Sequence, residues 1–303
     1  MIEENIKNNS IAFNKKQQTI EYIQKMFRSL YKSKLGMMGL VIMVFVTLVA
    51  IFAPLIAPYS PAATDYNSMF LPPFWQEGGN VEHILGTDNL GRDVLSRIIY
   101  GSRISLIVGV LSVVLSGFLG VTLGLVSGYK GGIVDNIIMR LVDSFLSIPS
   151  ILFMLVILGV LGPSVFTLVF VLGITNWIIY ARQIRGEVIS LKEQDYVLAA
   201  KSIGVKDRKI IMKHILPNVF SSVIVLSTLS VGTTILLEAS LSFLGLGVQP
   251  PTISWGGMLS EGRDHLATSW WIGTFPGICI TILVLGIIFF GDWLRDYLDP
   301  KSE

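Results

Sequence analysis

The 303-residue sequence is poor in charged residues and in the residue types that build most catalytic sites. Only 15% of its residues are Asp, Glu, Lys or Arg, and it has three histidines and one cysteine, Cys279. A single cysteine cannot form an intramolecular disulfide. The net charge of +2 is too small for a basic nucleic-acid surface, so the sequence predicts no nucleic-acid partner.

Sequence motifs for nucleotide binding and hydrolysis are also missing. The sequence contains no Gly-x4-Gly-Lys-Ser/Thr phosphate loop, no His-Glu-x-x-His and no Gly-x-Ser-x-Gly. A membrane-embedded enzyme is therefore disfavoured, and we expect a non-catalytic chain. An ion-driven carrier is a second alternative, but such carriers often place ionisable residues near the membrane midplane, where this sequence has almost none.

Long apolar stretches dominate what is present, since 52% of the residues are hydrophobic. A membrane-spanning helix needs about 20 such residues, and Gly162-Pro163 divides one overlong stretch into two. The fold class is therefore an all-α integral membrane protein with six transmembrane helices, of which the first is a retained anchor. The predicted spans are 37–57, 104–128, 138–161, 164–182, 218–244 and 272–291.

The distribution of basic residues predicts the orientation. With the N-terminus inside, 19 of the 23 Lys and Arg residues face the cytoplasm, and only Arg92, Arg97, Arg103 and Arg263 lie outside. Both termini are thus predicted to be cytoplasmic. The resulting segments are an N-terminal tail 1–36, an extracytoplasmic loop 58–103, a five-helix core 104–291 that includes a cytoplasmic loop 183–217, and a C-terminal tail 292–303. Residues 239–264 contain too much Gly and Pro for a span and predict a re-entrant or interfacial loop.

The cytoplasmic loop has the pattern helix, glycine, helix. Asp195 is a candidate cap for a helix that starts at Tyr196 and ends at Gly204. A second, basic amphipathic helix is predicted over 206–216, with Pro217 in the first turn of the next span. Small residues in the first helix would allow a partner's surface to approach its backbone.

The spacing of Ala199-Ala200, Gly204 and Leu216-Pro217 resembles the cytoplasmic signature of the membrane subunits of binding-protein-dependent ABC importers. Leu198 stands where a glutamate is usual and His214 where isoleucine is common. Both departures are frequent in the peptide branch of that family.

Five further blocks resemble the second permease subunit of oligopeptide, dipeptide and nickel importers, over a range from about Leu35 to the C-terminus. The blocks are Leu85-Gly-Thr-Asp-Asn-Leu-Gly-Arg-Asp93, Ser147-Ile-Pro149, Glu238-Ala-Ser-Leu-Ser-Phe-Leu-Gly-Leu-Gly247, Ser254-Trp-Gly-Gly-Met258, and Gly291-Asp292 through Leu298-Asp-Pro300.

This resemblance implies a type I ABC importer permease in a bacterial inner membrane. The implied partners are a second homologous permease, two ATPase subunits and an extracytoplasmic substrate-binding protein. ATP and Mg²⁺ would be bound by the ATPases, with no cofactor in this chain. The implied substrate is a peptide, with nickel or another small solute as the alternative. The implied coupling residues are Tyr196, Ala199, Ala200, Gly204, Leu216 and Pro217.

Other candidate site residues carry more than one interpretation. Glu238 is predicted to lie within the fifth span, near its outer end, where it packs, acts as a gate or contacts the substrate directly. Asn176, Ser147 and Pro149 are further candidates for the pathway. Asp88, Arg92 and Asp93 either contact the binding protein or fix the outer loop through internal ion pairs.

Overall fold

The computed structural model describes residue 21 and residues 24–298, and this part of the chain is almost entirely helical. Most of the predicted tail 1–36 and the end of the tail 292–303 lie outside these described residues. The main helices are α1 (Lys34–Ile51), α2 (Val94–Lys130), α3 (Gly132–Leu146), α4 (Ser150–Leu161), α5 (Val165–Lys192), α6 (Asp195–Ser202), α7 (Leu216–Leu241), α8 (Trp255–Arg263) and α9 (Trp271–Leu298).

Shorter elements connect the main helices. Residues 24–32 are helical and precede α1. One turn, Ala53–Ile56, follows α1, and a 3-10 turn, Tyr66–Ser68, lies in the long loop after it. Asp207–Ile210 is a helical turn, and the wider π-type turns Ile211–Ile215 and Ser242–Leu246 flank α7 on its two sides.

Five helical stretches are long and apolar enough to cross a membrane: α1, α2, α5, α9 and the continuous stretch Asp207–Leu246 that contains α7. The helices α3 and α4 pass the same test only as a pair, and the two are bent by 84°. If this pair is one broken span, the total is the six that the sequence predicts.

The structure divides the predicted span 138–161 between two helices. The helix α3 ends at Leu146, and α4 begins at Ser150 after Pro149, which has extended backbone. Proline lacks the N–H that a helix interior needs, and it disfavours helical geometry in the residue before it. Apolar length alone could not reveal this break.

The helix α2 begins at Val94, although the sequence predicts a loop until residue 103. The Asp93 side chain accepts a hydrogen bond from the backbone N–H of Ser96 and so caps the helix. The early start carries Arg97 into the helix, where two carboxylates pair with it. The long loop therefore covers residues 57–93 and not 58–103.

The helix α5 likewise continues to Lys192, although the predicted span ends at residue 182. Arg185 in this extension pairs with Asp135 of α3, so its charge is compensated within the chain. Only residues 193–215 remain between α5 and α7, about two thirds of the predicted loop.

The segment 239–264 contains a helix that the sequence does not predict, α8. The interruption before it agrees with the expectation, because regular α-helix stops at Leu241 and Gly245 has a φ of +85°. Positive φ is accessible to glycine at little cost. At nine residues α8 is too short to span a bilayer.

Glycines set the close packing of α2 against α5. A Cβ on Gly120 would lie 2.3 Å from the carbonyl oxygen of Trp177, and one on Gly124 would lie 2.8 Å from that of Ala181. Small residues let membrane helices approach closely where lipid gives no hydrophobic drive. The helices α1 and α9 meet in the same manner through Gly39 and Gly286.

The order of these contacts defines the two ends of the bundle. Residues 57–93 and 242–270 lie at one end, where Trp271 Nε1 donates to the carbonyl oxygen of Thr87 at 2.9 Å. Residues 193–215 lie at the other end, beside the ends of α2 and α5. We call these the long-loop end and the short-helix end. Both described chain ends lie at the short-helix end, where Trp293 Nε1 donates to Ser29 Oγ at 3.3 Å.

Candidate functional site

The helix α6 lies at the short-helix end. It stops before Gly204, as the sequence predicts, but it begins one residue earlier than predicted. Gln194 occupies the N-cap position, but its side chain makes no capping hydrogen bond. Asp195 is the first helical residue. Gly204 follows the helix with a φ of +80°, as the predicted stop requires. Nothing lies within 4 Å of the position a Cβ on Gly204 would occupy, so this corner faces open space.

The two faces of α6 differ sharply in exposure. Val197 and Ala200 are buried, in a cluster that joins α6 to α2, α5 and α7. The exposed side chains are those of Tyr196, Leu198, Ala199 and Ile203, the last of which directly follows α6 and has 80% of its surface accessible. The prediction that small residues offer α6 to a partner therefore needs correction at Ala200, which packs inside this chain.

The second half of this segment is not the single helix predicted over 206–216. It consists of the turn Asp207–Ile210 and the wider turns Ile211–Ile215, which continue into α7 without a break. Leu216 is half-buried, and Pro217 is exposed in the first turn of α7, as predicted. Ile210 and Ile215 are buried in the same cluster as Ala200.

Three polar contacts tie the short-helix end together. Tyr129 Oη, near the end of α2, donates to Asp207 Oδ1 at 2.8 Å. Asp135 of α3 accepts from Arg185 Nε and Nη2, each at 2.6 Å. Ser127 Oγ donates to the same carboxylate at 2.5 Å. Sequence reasoning missed these residues, because the pairs are 78 and 50 residues apart and no local pattern links them.

At the long-loop end, a cluster of four charged side chains joins the loop to α2 and α8. Asp88, which is buried, pairs with Arg92 Nε at 2.7 Å and with Arg97. Arg97 also donates to Glu261 Oε2 at 2.7 Å, and Arg92 donates to the same oxygen at 2.9 Å. Two arginines thus face two carboxylates. Asp88 and Arg92 are candidates from the sequence, whereas Arg97 and Glu261 are not.

Asp93 lies beside this cluster and has separate partners. Its carboxylate accepts from the Ser96 backbone N–H at 2.7 Å and lies 3.0 Å from His83 Nδ1. Asp88 and Asp93 are both buried, whereas Arg92, His83 and Glu261 each keep some side-chain exposure. Within this chain Asp88, Arg92 and Asp93 make internal pairs, which is one of the two interpretations of these residues. Contact with a separate protein stays a prediction.

Glu238 is fully buried where α7 ends. Its Oε1 accepts from Ser242 Oγ at 2.8 Å and from Ser254 Oγ at 2.9 Å. Ser254 also caps α8 by accepting from the Gly257 backbone N–H at 3.1 Å. Glu238 therefore fastens the end of α7 to the start of α8.

The other candidate pathway residues lie elsewhere in the bundle. Asn176 is half-buried in α5, and Ser147 and Pro149 are exposed at the break between α3 and α4. Among the described residues no hydrogen bond or ion pair joins any of these three to Glu238. The role of all four in a pathway stays a prediction. Within residues 24–298, no group of three or more His, Cys, Asp or Glu side chains is placed to hold a metal ion.

Comparison with known proteins identifies the family. Residues 120–303 match the model of the binding-protein-dependent transport system inner membrane component, and residues 21–73 match the N-terminal TM domain of oligopeptide transport permease C. The chain belongs to the family of binding-protein-dependent permeases. It is a non-catalytic membrane subunit of an ABC importer, in which a separate subunit hydrolyses ATP.

Similarity to individual permeases extends over nearly the whole chain. The dipeptide transport system permease protein DppC of Escherichia coli (strain K12) is 45% identical over 281 residues, which cover 93% of this chain and 94% of that protein. The oligopeptide transport system permease protein OppC of Bacillus subtilis (strain 168) is 43% identical over 275 residues, covering 91% and 87%. These matches confirm the resemblance, the all-helical membrane fold class and the permease function expected from the sequence.

Proposed function

We propose that this permease forms half of a translocation pathway for dipeptides or oligopeptides. The observation that carries the proposal is the similarity, over about nine tenths of both chains, to permeases named for dipeptide and oligopeptide transport. The other half of the pathway is a second, homologous permease. A substrate-binding protein outside delivers the peptide, and two ATPase subunits inside bind ATP and Mg²⁺.

The chain lies in the inner membrane of a bacterium with both termini in the cytoplasm. This orientation is supported by the 19 of 23 basic residues that it places inside. It puts the short-helix end in the cytoplasm, within reach of an ATPase, and the long-loop end outside, toward the binding protein.

The ATPase docks on the exposed face of α6. Tyr196, Ala199 and Ile203 form an apolar stripe along that face, and an exposed apolar stripe is typical of a helix that lies in a partner's groove. Leu216 and Pro217 connect this segment to α7 and do not belong to the stripe.

The docking proposal is tested by two separate variants, each of which introduces an aspartate at one of two neighbouring positions. Ile203→Asp puts a carboxylate in the apolar stripe, whereas Ser202→Asp puts it at the neighbouring exposed position, which already carries a polar side chain. Burying an unpaired charge costs several kcal/mol, and about 3 kcal/mol weakens binding more than a hundredfold. We expect Ile203→Asp to lose the co-purifying ATPase and peptide uptake, and Ser202→Asp to keep both. Equal behaviour of the two variants would contradict docking through this stripe.

The orientation is tested by thiol labelling in intact cells. Cys279 is replaced, and single cysteines are placed at the exposed positions Asn80, Lys206 and Arg263. An impermeant reagent should label positions 80 and 263 and leave 206 unlabelled until the cells are opened. Labelling of position 206 from outside would overturn the orientation and the docking proposal with it.

The substrate is tested by uptake into vesicles that contain the assembled importer. A labelled dipeptide should accumulate in the presence of ATP, and unlabelled peptide should compete with it. Accumulation of nickel without dipeptide uptake would favour the metal-importing branch of the family.

A further inference from the structure

The segment that carries the docking surface is joined to three other helices by a short series of polar contacts. Asp207 lies three residues after the corner at Gly204 and accepts the hydrogen bond from Tyr129 of α2. Two residues before Tyr129, Ser127 donates to Asp135 of α3, which pairs with Arg185 of α5. Asp207, Tyr129, Ser127, Asp135 and Arg185 thus connect residues 195–215, which we call the docking segment, to α2, α3 and α5.

The junction between α2 and α3 needs such a contact. Gly131 joins the two helices and Gly132 begins α3. They have φ values of +64° and +56°, and nothing lies within 4 Å of a Cβ placed on either. Glycines in open space do not fix the angle between two helices by packing. Asp135, three residues later, holds α3 against Arg185 with two parallel hydrogen bonds, an arrangement that is both strong and directional.

Apolar packing supplies the rest of the connection. Val197, Ala200, Ile210 and Ile215 of the docking segment are buried against residues of α2, α5 and α7, which include Leu125 and Ile184. A buried core of this kind transmits displacement, because close-packed interiors are not easily compressed. The polar contacts add what apolar packing lacks, a defined orientation at the edge of the cluster.

We infer that the Tyr129–Asp207 hydrogen bond and the Asp135–Arg185 ion pair are positioning contacts for transport, which make the docking segment, α2, α3 and α5 move as one body. The inference rests on the proposed docking of an ATPase at α6. It assigns a role to Tyr129, Asp135, Arg185 and Asp207, which do not touch the docking surface. Movement of the docking segment would then reach the bent pair α3–α4 through Asp135.

The test uses the assembled importer in lipid vesicles and measures peptide transported per ATP hydrolysed. Tyr129→Phe removes only the donating hydroxyl, and Asp207→Ala removes the acceptor. Each should lower this ratio about three- to tenfold, the effect of one hydrogen bond, while the amount of bound ATPase stays the same. The double variant should be no worse than either single one, because both changes remove the same contact.

Matched variants separate positioning from general damage. Asp207→Asn keeps an acceptor oxygen and should keep the wild-type ratio, as should Tyr66→Phe, which alters an exposed tyrosine at the other end of the bundle. Arg185→Asp should lower the ratio, and the exchange Arg185→Asp with Asp135→Arg should restore most of it.

The outcomes distinguish this inference from the docking proposal. A wild-type ratio in Tyr129→Phe and Asp207→Ala, or losses that add in the double variant, would overturn the positioning role and leave docking intact. Loss of the ATPase from Ile203→Asp is independent of both results. If the unaltered importer binds no ATPase, the proposed function itself fails.

Discussion

The two ends of the bundle use their charged residues in opposite ways. At the long-loop end, Asp88, Arg97 and Glu261 face one another, and the arginine is almost completely buried. At the short-helix end, the ion pair of Asp135 and Arg185 is partly exposed, and the neighbouring α6 presents apolar side chains to solvent. In the first cluster the charges are compensated within the chain. At the second end, the exposed apolar side chains of α6 form the surface for which we propose an ATPase partner.

We therefore expect residues at the long-loop end to matter for the stability of the fold, and exposed residues at the short-helix end to matter for coupling to an ATPase. A buried ion pair leaves an uncompensated charge when one partner is removed, so changes at the long-loop end should reduce folding. Exposed residues contribute little to stability, so changes of exposed residues at the short-helix end should leave the folded chain intact and affect what it binds.

The largest effect is expected for Arg97→Met. It removes the positive charge between Asp88 and Glu261 and should destabilise the chain by about 3–5 kcal/mol, measured as loss of thermal stability and of folded protein in the membrane. Arg92→Met is the control, because Arg92 is more exposed and Arg97 would still neutralise Asp88. Equal losses in the two variants would show that burial does not distinguish these arginines.

A smaller loss is expected for Glu238→Leu. The substitution leaves the hydroxyls of Ser242 and Ser254 without their acceptor in a buried site and should cost about 2–3 kcal/mol in thermal stability. Glu238→Gln keeps one acceptor oxygen and should cost less. A gate residue would behave differently, with normal stability and altered uptake in both variants.

Gly120→Ala tests the packing between the two ends. The added Cβ would meet the Trp177 carbonyl oxygen at 2.3 Å, a backbone atom that can yield only if α2 and α5 move apart. We expect a loss of about 2 kcal/mol in unfolding free energy, within the range for overpacking. Gly159→Ala in α4, where nothing lies within 4 Å, should be neutral or slightly stabilising.

The smallest effect is expected for Gly204→Ala at the short-helix end. There is room for the methyl group, but the φ of +80° disfavours any residue with a Cβ, so the cost is about 1 kcal/mol. The measurement is folded yield together with ATPase co-purification. A large loss of folded protein would mean that this end contributes as much to stability as the long-loop end does.

The sequence predicts the candidate-site residues whose placement depends on their near neighbours in the chain. It does not predict the placement of those that depend on distant residues. Gly204 and Pro217 follow from backbone rules that act within a few residues, and the structure places both as predicted. The sequence shows only that the Ala200 side chain is small, and on that basis it predicts a contact with a partner. Its burial depends on Ile210 and Ile215 folding back over it, which the predicted second helix did not describe.

The sequence by itself determined the membrane fold class, the approximate positions of the apolar spans and the family. Each depends on composition or on spacing along the chain, and hydrophobic length sets where a helix can cross a bilayer. Tertiary structure alone decided which charges are buried and with which partner, since Arg97 and Glu261 meet across 164 residues. It also decided the break at Pro149 and the faces of α6. Contacts between distant residues depend on how the helices pack, and packing is settled by the whole chain at once.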